Sequence, residues 1–92
     1  MDFQVEMLAF GEPDEIRIVN IPNNVEPSLE NIFYYGQNDF QPKAHPSVSV
    51  GDVINYQNEK YLVAGIGFKK LNQDEYENYK SLNRRERILS GF

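Results

Sequence analysis

His45 is the one histidine of the chain, and Ser47 and Ser49 follow it closely. A histidine near a serine is the raw material of nucleophilic catalysis, with the imidazole as base. No nucleophile-elbow pattern surrounds either serine, and Ala44-His45-Pro46 reads as loop, where a histidine serves as a surface or hydrogen-bonding residue. With no cysteine in the chain there is no thiol nucleophile and no zinc-thiolate site. A metal would have to use carboxylates, and no D-x-[DN]-x-[DN]-G loop occurs. Asp14-Glu15 and Asp74-Glu75 read as a turn and a helix N-terminus rather than as an acid–base pair. Gly65-Ile66-Gly67 lacks the third glycine of a phosphate loop. The expectation is a protein that is not an enzyme and takes no cofactor or metal.

Charge is the more informative chemistry. The chain of 92 residues carries net charge −5. Residues 1–60 hold ten acids against three bases, whereas residues 61–92 hold four acids against six bases. An acidic body repels phosphate backbones and attracts basic protein surfaces. Glu12, Asp14, Glu15 and Glu26 are the candidate acidic surface, which could occupy a basic groove as a nucleic-acid mimic if clustered on one face. The opposite reading uses Lys69, Lys70, Lys80, Arg84 and Arg87. On a continuous helix, residues 80, 84 and 87 share a face, and a basic stripe beside Tyr76 and Tyr79 suits RNA or DNA.

A third constellation lies in residues 36–47, a proline-containing stretch with no apolar period. Glu30 on the preceding helix, with Gln37, Asn38, Asp39, Phe40, Gln41, Lys43 and His45, offers carboxylate, amide, ring and cation close together. A loop of this length implies a role or tight local packing. Phe40 either plugs the loop onto the core or stands out as a recognition ring, and the plug is favoured because such loops are pinned by their own side chains.

These groups need a scaffold, and the chain has the means to build one. Length and about 40% apolar residues suit one domain with a core, without the long apolar run of a membrane span or the basic-then-apolar start of a signal peptide. Phe3, Val5, Met7 and Ala9 alternate as in a half-buried strand, Gly11 to Asp14 is turn chemistry, and Ile16 to Ile21 restart a β-branched run. The spacing predicts a hairpin, then a short helix over 27–35 with Leu29, Ile32 and Phe33 on one face and Gly36 as a left-handed cap. Val53, Ile54 and Tyr56 make a third strand and residues 61–66 a fourth, central and covered on both faces. Gly65 and Gly67 suggest a bulge or bend. Asn72 and Glu75 stand at capping-box spacing before a helix over 74–89. The expected fold class is α+β: a single domain with a mostly antiparallel sheet of four or more strands, a short helix and a C-terminal helix packed on it.

The run Pro46-Ser47-Val48-Ser49-Val50-Gly51-Asp52-Val53-Ile54, then Tyr61-Leu62-Val63, then Gly67-Phe68-Lys69-Lys70-Leu71 resembles the YodL-like domains, small domains of bacterial mobile elements and phages. The resemblance spans a quarter to a third of the chain and implies a phage or mobile-element accessory role in the bacterial cytoplasm. It supplies no catalytic residues. The Gly51-Asp52 entry also looks like small RNA-binding barrels of the PUA and ASCH type. From the residues themselves, Asp52 is expected to bond nearby backbone amides at the turn that feeds the third strand. The sequence thus points to a non-catalytic module that binds and modulates a host protein, with RNA or DNA binding through the basic C-terminal helix as the alternative.

Overall fold

The computed structural model describes residues 1–9, 14–37 and 47–89. Five strands, β1 (Asp2–Glu6), β2 (Ile16–Asn20), β3 (Val53–Tyr56), β4 (Glu59–Val63) and β5 (Phe68–Leu71), form one antiparallel sheet in the order β2-β1-β3-β4-β5. Around it lie α1 (Leu29–Tyr35), α2 (Gln73–Ser81) and α3 (Arg84–Leu89). The chain is α+β, as its periodicities predict.

Alternation along each strand sorts the side chains into two faces. One face carries Val5, Val19, Ile54 and Val63, and α1 closes it with Ile32. Leu29 and Phe33 join from the same side of α1, and Val48 completes the cluster. The other face carries Val53, Leu62 and Leu71, against which α2 sets Tyr76 and Tyr79. Val63 and Leu62 of β4 thus enter the two different clusters, so this strand is covered on both faces. Each buried Val, Leu or Ile contributes roughly 1.5–3 kcal/mol relative to an exposed one.

Local chemistry explains the joints. Gln57 and Asn58, at φ 51° and 63°, make a two-residue turn of the I′ kind, whose twist matches the strands it joins. Ser28 caps α1 by accepting from Asn31 N at 3.1 Å. Asn72 and Glu75 form the reciprocal capping box at the head of α2.

Four expectations are corrected. Gly36 ends α1 at φ −77°, not left-handed. It is a glycine because a Cβ there would lie 2.5 Å from Val48 Cγ2 and 3.0 Å from Ile32 O. The fourth strand stops at Val63, and Ala64–Gly67 turns the chain, with Ala64 N donating to Gly67 O at 3.0 Å and Gly67 at φ 75°. Phe68–Leu71, to which the sequence reading assigns no strand, is a fifth strand on the sheet edge. The single C-terminal helix is two. Leu82 turns extended at ψ 150°, and Asn83 and Glu86 then repeat the reciprocal N-terminal bonds at 2.9 and 3.0 Å.

Candidate interaction surface

Three buried polar groups hold the second face together. Glu6 on β1 is 6% exposed, and Oε1 accepts from the Tyr76 hydroxyl. Its Oε2 accepts from Lys60 Nζ at 3.1 Å and Asn55 Nδ2 at 3.3 Å. Lys80 Nζ lies 3.9 Å from Glu6 Oε1 and 3.7 Å from Asp14 Oδ1. Burial, then the hydrogen bond to Glu6, push the Tyr76 hydroxyl above its ordinary pKa, and the Tyr76 hydroxyl in turn raises that of Lys80. The carboxylate is therefore saturated by protein donors rather than presented to a substrate.

Asp52 does what the sequence predicts. Its Oδ1 accepts from Ala9 N at 2.9 Å and its Oδ2 from Ser49 N at 2.8 Å. Loss of water at this 1%-exposed site raises its pKa from 3.8 to about 6 against the lowering effect of both amides, with the nearby Glu15 charge adding to the rise. Next to it, Tyr79 OH donates to Gly51 O at 2.5 Å. Arg87 Nε donates to Leu8 O at 2.8 Å, and its Nη1 donates to Leu82 O. Arg87 thereby fastens α3 to the end of β1.

The basic stripe expected on one helix is absent in this arrangement. The break at Leu82–Asn83 removes the common face, Arg87 is buried, and the Arg84 side chain lies outside the described residues. Lys69 and Lys70 stand on β5, 3.7 Å from Glu75 and 3.5 Å from Glu59. The acidic set divides differently. Glu26, Glu30 and Asp14 are exposed, Glu15 is half-buried with Oε2 lacking a hydrogen-bond partner among the described residues, and Glu12 lies outside them. Of the loop constellation, Asn38, Asp39, Phe40, Gln41, Lys43 and His45 fall outside the described residues. Gln37 is a structural tether, its Nε2 donating to Phe33 O at 2.8 Å and Val48 O at 3.0 Å.

The resulting surface has a distinct polarity. Lys60, Lys69, Lys70 and Lys80 each lie within 4 Å of a carboxylate, and Arg17 and Arg87 are buried. Asp2, Glu26, Glu30, Asp74 and Glu77 have no ion pair among the described residues, against the single exposed cationic side chain there, Arg85, that also has none. Glu30 and the 54%-exposed Tyr34 are one turn apart on the outward side of α1, with Glu26 just before it. Comparison with protein-family models, curated proteins and solved structures finds no match. Among the described residues no helix is long and apolar enough to cross a membrane.

Sequence reasoning missed Glu6, Arg17 and the anchoring role of Arg87, since it assigns charged residues to the surface. The break before α3 did have a signal. Asn83 and Glu86 repeat the three-residue spacing of Asn72 and Glu75.

Proposed function

We propose that this chain is a non-catalytic protein-binding module, an accessory protein of a phage or mobile element that engages a basic host protein in the bacterial cytoplasm. The observation that carries this reading is the uneven pairing of charge among the described residues. Lys60, Lys69, Lys70 and Lys80 stand beside carboxylates and Arg17 and Arg87 are buried, whereas the exposed, unpaired carboxylates of Asp2, Glu26, Glu30, Asp74 and Glu77 outnumber the exposed Arg85. Such an excess steers a basic partner and repels nucleic acid. Glu30 and Tyr34 on α1, with Glu26 before its N-cap, supply two carboxylates and an exposed ring, and tyrosine is favoured at contact surfaces because it brings large area at small entropic cost. The polar groups inside the molecule do structural work: Glu6, Asp52 and Arg87 are committed to backbone and side-chain partners. The mobile-element setting and the cytoplasmic location rest on the resemblance over residues 46–71.

Affinity capture from bacterial lysate, with and without nuclease, tests the reading. The expected result is a discrete basic protein retained after nuclease treatment and lost when Glu26→Lys and Glu30→Lys are combined. Undiminished capture by that double variant overturns the assignment of α1. Recovery of RNA or DNA, with all proteins lost after nuclease, overturns the reading itself.

A further inference from the structure

We propose that β2 is a self-association edge, pairing antiparallel with β2 of a second copy of this chain about a two-fold axis at Ile18. Among the described residues β2 and β5 are the two edge strands of the sheet, and they are protected very differently. β5 exposes Lys69 and Lys70, the kind of charged residue that keeps an edge from recruiting another strand. β2 has neither lysine nor proline, and its five residues pair with β1 without a bulge. Its one charged residue, Arg17, points into the protein at 4% exposure.

The hydrogen-bond phase sets which groups look outward. Met1 and Ile21 exchange backbone bonds, and Met7 N donates to Glu15 O. The odd-numbered residues of this strand therefore bond to β1, and alternation turns the N–H and C=O groups of Ile16 and Ile18 to the outer edge. The side chains of these two residues are also the exposed apolar ones, each 49% accessible. They stand on the half of the sheet face that α2 leaves uncovered, beside Gln4.

Charge selects the occupant and the register. An axis at Arg17 would set two guanidinium groups directly opposite one another, which is unfavourable in a strand pair. An axis at Ile18 sets Arg17 opposite Val19 of the second copy and brings four isoleucine side chains together. The β1–β2 pairings Glu6↔Ile16 and Asp2↔Asn20 then join into one row across the axis. The exposed Ile16 lies inside that row, and the carboxylates of Glu6 and of Asp2 of the second copy stand at its two far ends. The edge therefore fits a second copy of itself, with like charges kept apart.

Sedimentation over a concentration series tests the proposal. The wild type is expected to show a reversible monomer–dimer equilibrium, and Ile18→Lys to weaken it at least about tenfold with an unchanged circular dichroism spectrum. A monomer at every concentration up to about 1 mM overturns the proposal, as does a dimer that Ile18→Lys leaves intact. Because the chain has no cysteine, a second variant reads the register directly and barely disturbs the fold. Residues bonded opposite one another lie about 5.5 Å apart at Cα, within disulfide range. Ile18→Cys should form a disulfide-linked dimer under mild oxidation faster than Ile66→Cys, whose parent side chain is 98% exposed but remote from β2. Equal or slower cross-linking at position 18 overturns the register.

Discussion

The two faces of the sheet are closed by different physics. On the α1 side, Val5, Val19, Ile32, Val48 and Ile54 are all buried to 1% exposure or less, and the contact is mainly apolar, with buried Arg17 beside Val5 and the Tyr56 hydroxyl donating to Pro27 O as its polar members. On the α2 side, tyrosines replace aliphatic side chains, and their hydroxyls end on Glu6 and on Gly51 O. Arg87 and Asp52 add further bonds to backbone atoms. Apolar packing is non-directional and tolerates small shifts, whereas each polar bond fixes an orientation and is costly when half of it is removed. The comparison teaches that α1 supplies stability to the sheet, while α2 and α3 are held in a defined pose by a few specific bonds.

The largest effect is expected where packing dominates. Ile32→Ala should cost about 2–5 kcal/mol, read from the urea midpoint, because it opens a cavity in the centre of the α1 face. An effect below 1 kcal/mol would break the distinction between the two faces.

Asp52 offers a pH test of the polar side. Its pKa is about 6 in the folded protein against an ordinary value of 3.8, so folding favours the protonated form. Its contribution is fully present below about pH 4 and is lost as pH rises through 6. Between pH 4 and 7 this amounts to about 1–3 kcal/mol. Urea midpoints for the wild type and Asp52→Asn across that range should differ in slope, with the variant flatter. Parallel slopes would remove Asp52 as the source.

Of similar size, Tyr79→Phe leaves Gly51 O without its buried donor and should cost about 1–3 kcal/mol. The same substitution should raise amide exchange in α2 more than in α1, which sharpens the comparison. The smallest effect, about 1 kcal/mol, is expected for Asn72→Ala, which removes the cap that accepts from Glu75 N at 2.8 Å. A loss confined to α2 in exchange measurements would separate capping from global stability.

The hairpin, the α1 face and the α2 capping box were legible because each depends on neighbours in sequence: alternation in Phe3 and Val5, an i, i+3, i+4 triplet in Leu29, Ile32 and Phe33, and the Asn72–Glu75 spacing. Asp52 was legible because a Gly-Asp turn leaves a carboxylate near backbone amides. The edge strand β5 was not, since Lys69 and Lys70 interrupt the apolar run that marks a strand. The destination of Glu6 was hidden for a deeper reason. Its partners Asn55, Lys60, Tyr76 and Lys80 come from three other elements, and only the folded topology assembles them. The pairing of Lys60, Lys69, Lys70 and Lys80 was hidden for the same reason, because a count of charges does not show which cations stand beside carboxylates.

The strand order also governs how the protein is born. β1 is synthesised before β3, at Val53–Tyr56, which is one of its two sheet neighbours. At synthesis rates of about 5–20 residues per second, a nascent β1–β2 hairpin waits several seconds with the inner edge of β1 open. That edge is paired once β3 arrives, so backbone that lies inside the finished sheet is an open edge on the ribosome.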